Sequence, residues 1–291
     1  MPPATPQLEP EHHFADINGI RMHYAAAGSG ETILFLHGFP ESWYSWRHQL
    51  AHFSASYRVV APDLRGYNET ENRGPYDTDT LQEDVLALIR HLGVERVHLV
   101  AHDWGAAVAW LLAMYHPDVL QTLTICNVPH PELMRKGIVK PRQLLRSWYI
   151  VFFQIPWLPE VVLARDDYRG LARQIIRDTR PGTFTRDDAR AMLAAWRRQG
   201  LNGGINWYRA LRRAPRAHRP VPTILTPTLL IWGEDDVALG KELTHGTEEY
   251  VRDLAVHYLP NTSHWVQQEE PEKVNELIAA HLERSAAGAG V

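Results

Sequence analysis

Asp103 stands at the apex of LVAHDWGAAVAW (99–110), where an apolar strand runs into a tight turn and then into an apolar helix. Small residues lie two before it and two after it, Ala101 and Gly105. That spacing is a nucleophile elbow, a strained strand–turn–helix that lifts one side chain clear of a sheet. With a reference pKa of about 3.9, a carboxylate is already ionised at neutral pH and attacks carbon without a base, leaving an ester. Hydrolysis of that ester then requires a base, a water and an oxyanion hole. LFLHGFPES (34–42) ends a strand in a turn whose Phe39 N–H can pair with that of Trp104 as oxyanion donors. LLIWGEDD (229–236) ends another strand in three carboxylates, Glu234, Asp235 and Asp236, and PNTSHWVQQ (260–268) places His264 in a loop. A histidine acting as base needs one carboxylate to hold its tautomer and stabilise the imidazolium.

These residues need a sheet to carry them. TILFLHG (32–38), YRVVAPD (57–63), RVHLVAH (96–102), LQTLTIC (120–126) and TPTLLIWG (226–233) are continuous apolar runs, as expected of strands covered on both faces. A helix is expected between the second and third, with Thr80 and Glu83 as a capping box, Val85, Leu88, Ile89 and Leu92 at helical spacing, and Gly93 as its stop. The strand rhythm breaks from about Pro131 to Pro222. QLLRSWYIVFF (143–153) there presents Leu145, Trp148, Tyr149 and Phe152 at i, i+3, i+4 and i+7. Arg165, Arg169, Arg173 and Arg177 recur every four residues, which predicts one solvated helix face. The reading is an α/β sheet domain, 1–130 and 223–291, interrupted by a helical lid, 131–222. The terminal SAAGAGV is expected to fray.

Composition narrows the function. A hydrophobic fraction of 45% with ten Trp supports a large core, and a net charge of −4 argues against nucleic acid as a partner. Cys126 is the only cysteine, so an intrachain disulfide and a zinc site built on cysteines are both excluded. MPPATPQLEPEHHF (1–14) has no basic start followed by an apolar run, and no window is apolar enough to span a membrane. A cytoplasmic protein is expected; monomer and homodimer both remain open.

The chain order nucleophile, acid, histidine is that of α/β-hydrolases. From about His13 to Leu282 the sequence resembles the epoxide hydrolases of that fold, through HGFPESWYSW, AHDWGAAVAW, FFQIPW, NWYR, WGEDD and SHWVQQ. The resemblance implies an α/β-hydrolase fold: a mostly parallel twisted sheet with helices on both faces and an inserted lid. It implies Asp103 as nucleophile, His264 as base and Asp236, three residues after Gly233, as the acid. Two lid tyrosines that hold the epoxide oxygen fall on Tyr149 and Tyr208, and Tyr168 is left structural. A phenol suits that task, since it donates to an oxygen that becomes alkoxide as the ring opens. The implied substrate is a small apolar epoxide with water, the product a vicinal diol, and no metal or organic cofactor is called for. Phe39, Trp104, Trp148, Phe152 and Trp265 are expected to line an apolar pocket, with Trp157 open between pocket and core. His37 reads as structural, and His102 as turned away from the site. Two departures stand out: Ala101 and Asn68 occupy positions where the family commonly has Gly.

Two other functions are weighed. Haloalkane dehalogenases also use an elbow aspartate, but typically carry Asn where Phe39 stands and lack paired lid tyrosines. Fluoroacetate enzymes put arginines just after the nucleophile, where this chain has Trp104, Ala106 and Ala107. Some relatives take the acid from the strand after the elbow helix, where Asn127 cannot serve. A non-catalytic binding module on the same scaffold would be expected to lose a triad member, and none is missing.

Overall fold

The computed structural model describes residues 8–213 and 220–288. Eight strands form one sheet: β1 (Glu11–Ile17), β2 (Ile20–Ala27), β3 (Thr32–Leu36), β4 (Arg58–Pro62), β5 (Val97–His102), β6 (Leu120–Cys126), β7 (Thr228–Gly233) and β8 (Leu254–Leu259). Their order is β1-β2-β4-β3-β5-β6-β7-β8. The first two strands pair antiparallel with each other, and β2 pairs antiparallel with β4; all later pairs are parallel. The five apolar runs became β3 to β7. β1, β2 and β8 have no counterpart among those runs: EHHFADI and IRMHYAAA carry charge and histidine, and LAVHYL is a half-exposed strand at the other edge.

Period-two alternation sorts the central side chains into two cores. Leu34, Leu36, Leu99, Ala101, Leu230 and Trp232 face α2 (Thr78–His91), α3 (Asp103–Tyr115) and the lid. Ile33, Phe35, Val100, Leu229 and Ile231 face α1 (Arg47–Phe53) and the C-terminal helices. Helix α2 ends before Gly93 as expected, and Val85, Leu88, Ile89 and Leu92 are buried. Its cap differs from expectation. Asp77, not Thr80, is the N-cap and accepts from the Thr80 N–H, and Glu83 lies outward in an ion pair with Arg90.

Between β6 and β7 every regular element among the described residues is helical: α4 (Pro131–Gly137), α5 (Pro141–Arg146), α6 (Trp148–Phe152), α7 (Leu158–Leu163), α8 (Arg169–Asp178), α9 (Arg186–Gln199) and α10 (Asn202–Ala210). The expected helix through QLLRSWYIVFF breaks at Ser147, and its apolar stripe is split: Tyr149 and Phe152 are half-buried against the core, the other two are not. Leu145 and Trp148 are exposed, while Gln143, Ser147 and Phe153 turn inward. Gln143 explains the reversal: its amide bonds the Ser147 hydroxyl and the Ala238 carbonyl, so the polar side of α5 is the one that docks. The basic face is shorter than the spacing predicted. Asp166, Asp167 and Tyr168 are left-handed, which takes Arg165 off α8, while Arg173 pairs with Asp166 at 3.1 Å.

The C-terminal helices are α11 (Val266–Glu269) and α12 (Pro271–Gly288). Of the segment expected to fray, 285–288 continue α12 and 289–291 lie outside the described residues, as do 1–7 of the N-terminal stretch. No helix among the described residues is long and apolar enough to cross a membrane.

Candidate active site

Register brings the chemistry together. Leu36 pairs with Ala101, His102 with Cys126, and Cys126 with Ile231. The parallel strands therefore end level, and the residues just past them share one crevice at their carboxyl ends. Asp103 sits there at φ 48°, the strained left-handed geometry of an elbow. The fit is tight: a Cβ on Gly38 would lie 2.3 Å from the Asp103 Cβ. Ala101 is fully buried, so its methyl is accommodated where the family commonly has Gly.

The two oxygens of Asp103 differ. Oδ1 accepts from the Phe39 N–H at 2.6 Å, whereas Oδ2 lies 3.6 Å from His264 Nε2. Trp104 opens the first turn of α3, where a backbone N–H has no carbonyl one turn back within the helix. His264 Nδ1 donates to Asp236 Oδ2 at 2.7 Å. Of the three carboxylates after β7, Glu234 pairs with Lys241 and Asp235 is exposed; Asp236 is the buried one. Its Oδ1 accepts from the N–H groups of Ala238 and Leu239 at 2.7 and 2.8 Å.

Burial by itself pushes both carboxyls up and the imidazole down, but mutual attraction and hydrogen bonds win for all three. Asp103 and Asp236 are held below the ordinary carboxylate range, each chiefly by His264. His264 is raised well above the ordinary imidazole range by Asp236 and Asp103.

Rings roof this cluster. Tyr208 on α10 meets Trp104 at 5.0 Å, Phe153 at 4.9 Å and Phe39 at 5.6 Å, and Tyr149 on α6 lies 5.9 Å from Tyr208. Desolvation, then the charge of Asp103, pushes both phenols above their usual range, so each keeps its proton and can donate. Trp265 packs edge-on against His264 and is buried. Phe152 reaches the group through Phe153, at 5.8 Å. Trp148, expected in the pocket, is 63% exposed and meets Phe152 from outside, and Trp157 is 69% exposed. The break at Ser147 rotates α6 so that Tyr149 and Phe153, not Trp148, turn inward.

Three contributors were missed or misread. Asn127, at φ 52° after β6, donates to Asp236 Oδ2 at 2.7 Å and accepts from the Gly233 N–H at 2.9 Å. Sequence reasoning discarded it as no carboxylate, yet it orients one. His102 does not turn away from the site. Its Nε2 bonds the His264 carbonyl at 2.9 Å and its Nδ1 faces Glu41 Oε2 at 2.9 Å. Phe153 had no signal beyond its place in FFQIPW. His37 is structural as expected, accepting from the Leu64 N–H at 3.0 Å. Asn68 is explained by φ 44°, a left-handed position that Asn tolerates, with its amide on Asp63.

Residues 31–271 match the family described as alpha/beta hydrolase fold. The chain is 41% identical to human "Epoxide hydrolase 4" over 279 residues, covering 91% of this chain and 76% of that protein. It is 40% identical over 277 residues to "AB hydrolase superfamily protein YfhM" of Bacillus subtilis, covering 92% and 96%. Among solved structures, the Bacillus megaterium epoxide hydrolase in complex with an inhibitor superposes with a TM-score of 0.86 at 33% identity, covering 93% of this chain and 100% of that one.

Proposed function

The chain belongs to the epoxide hydrolases of the alpha/beta hydrolase fold, and we propose that Asp103, His264, Asp236, Tyr149 and Tyr208 carry its reaction in two covalent steps. Residues 131–222 serve as the lid over a core made of 1–130 and 223–291. The observation that carries the reading is the asymmetry of Asp103, with one oxygen already on the Phe39 N–H and the other toward His264.

Oδ2 attacks a ring carbon of a small apolar epoxide. The new C–O bond displaces the ring oxygen, whose developing charge is met by the Tyr149 and Tyr208 hydroxyls and is quenched by a phenol proton. Oδ1 becomes the ester carbonyl oxygen, seated on the Phe39 and Trp104 N–H groups. Ester formation removes the negative charge of Asp103, one of the groups that hold the His264 pKa high. His264 then gives up its proton more easily; that proton restores the phenol by way of solvent, and the neutral imidazole is free to act as base. It takes a proton from water, which attacks the Asp103 Cγ; the oxyanion rests on the two N–H groups, and collapse breaks the Cγ–Oδ2 bond. The diol leaves with Oδ2, and the carboxylate keeps the oxygen of water. Asp236 stabilises the imidazolium, and Asn127 fixes Asp236. Cys126 is buried and free, which agrees with a cytoplasmic setting.

A single turnover with excess enzyme in ¹⁸O-water tests the scheme. The expected diol is mostly unlabelled, and the peptide containing Asp103 gains the label. Labelled diol with an unlabelled peptide would mean direct attack of water and would remove Asp103 from the nucleophile's role.

A further inference from the structure

The lid has two unlike faces. Tyr149 and Phe153 turn to the site, while the outer side of the same stretch is apolar and uncovered. Val139 is 73% exposed, Leu145 77%, Trp148 63%, Val151 65%, Trp157 69% and Val161 50%. More than half of the exposed large apolar side chains among the described residues fall between 139 and 162, under a tenth of the chain. Such residues scattered singly are ordinary, but a run across three consecutive helices marks an interaction surface. Its charge is one-sided. Lys140, Arg142, Arg146 and Arg165 are all exposed; the one acid between 139 and 165, Glu160, is held by Arg209 at 3.0 Å, and the two that follow, Asp166 and Asp167, pair with Arg173 and Arg197.

We propose that this outer face of the lid binds reversibly to an anionic lipid surface. Trp148 and Trp157 enter the headgroup layer, and the four cations meet lipid phosphates and carboxylates. Exposed tryptophan and leucine beside basic side chains, on short helices that cannot span, is the composition of an element lying in a membrane interface. Charge argues against a second copy as the occupant. A two-fold dimer lays a patch on itself, which here sets four cations against four. The chain as a whole carries a net charge of −4, so the cationic face also orients it toward an anionic surface. On the reading above, an apolar epoxide dissolved in lipid would then meet α6, whose inner face presents Tyr149. The docking itself does not depend on that reaction.

Sedimentation with phosphatidylcholine vesicles, with and without phosphatidylserine, tests the proposal, with tryptophan fluorescence read on the same samples. Each cation near an anionic surface adds roughly fivefold to partitioning, so at least about tenfold preference for the serine-lipid vesicles is expected, weakened by added salt. Leu145→Glu with Trp157→Glu should abolish binding, and Lys140→Glu with Arg142→Glu should lower it at least about tenfold. Both variants should keep wild-type turnover of styrene oxide, which also reports folding. Equal binding to the two vesicle types, or variants that bind like wild type, would overturn the proposal. So would a dimer in solution that Leu145→Glu with Trp157→Glu dissociates, since a second copy would then cover the face. The wild-type comparison of the two vesicle types decides the matter even where a variant fails to fold. Vesicle partitioning is read without substrate, so an error in the assigned reaction leaves this result untouched.

Discussion

Asp103 and His264 share one proton economy, and it sets what their replacement should do. In His264→Gln the first step keeps its nucleophile and its phenols, so substrate should alkylate the protein and remain attached. Intact-mass spectrometry should show protein plus one epoxide; a folded variant with no adduct would refute the order of steps. The same pair predicts a stability profile. His264 is raised above its unfolded value of about 6.5, so its contribution is complete below that pH and fades as pH rises through the folded pKa. Asp103 and Asp236 are depressed, so theirs is present above about pH 3.9 and fades as pH falls. The melting-temperature gap between wild type and His264→Gln should therefore shrink toward alkaline pH; a gap that widens there contradicts the raised histidine. On the proposed mechanism, the two tyrosines divide one developing charge. Tyr149→Phe or Tyr208→Phe should slow alkylation by a factor near the low end of an oxyanion-donor loss, about 2.7 kcal/mol, and the double change should nearly abolish it. A double variant that opens epoxides at the wild-type rate would move the oxygen-binding role elsewhere.

The elbow is the element on which the site depends, and it works through close approach. Gly105 donates its N–H to the His37 carbonyl at 3.0 Å, and a Cβ there would stand 2.5 Å from the carbonyl oxygens of His37 and Leu36. These are backbone atoms at the end of β3, so relief requires α3 to move away from the strand that presents Phe39. Gly105→Ala should cost about 1–3 kcal/mol by overpacking and should slow ester hydrolysis more than stability alone accounts for. Urea melts with single-turnover kinetics check both; a fully active, equally stable alanine variant would show that the elbow is looser than its contacts indicate.

At the scale of the whole molecule, lid and core are joined by buried polar contacts as well as by rings. Asp188 on α9 pairs with Arg47 Nε at 2.8 Å and accepts from the Tyr44 hydroxyl at 2.9 Å, and the Trp207 indole donates to the Arg65 carbonyl at 3.0 Å. Arg47 and Asp188 are both mostly buried, so removing one leaves the other charged in a low dielectric. Asp188→Ala should destabilise by about 3–5 kcal/mol, and adding Arg47→Met should restore part of it. Denaturant midpoints of the two variants provide the measurement; a double variant no better than the single would assign the loss to the α9 cap, where Asp188 also serves.

What the sequence by itself determined is local and periodic. The five buried strands, the elbow around Asp103 and the helical break from β6 to β7 were legible because apolar runs and small residues at fixed offsets answer to backbone sterics alone. Asp103 and the N–H of Phe39 could be picked out for the same reason, each standing at the end of a readable strand, whereas His264, in the loop after β8, was marked by chain order and the family resemblance. Only the tertiary structure decided which of Glu234, Asp235 and Asp236 turns inward, that Asn127 holds the chosen acid, and that His102 braces the His264 loop. Those facts depend on strands ending level across a sheet, a relation between residues far apart in the chain. The lid was the least legible part. Its helices α5 and α6 are short and bury Gln143 and Ser147 while exposing Leu145 and Trp148. Hydrophobic periodicity presumes that apolar faces point inward, and here a polar bond from Gln143 to the core fixed the rotation instead.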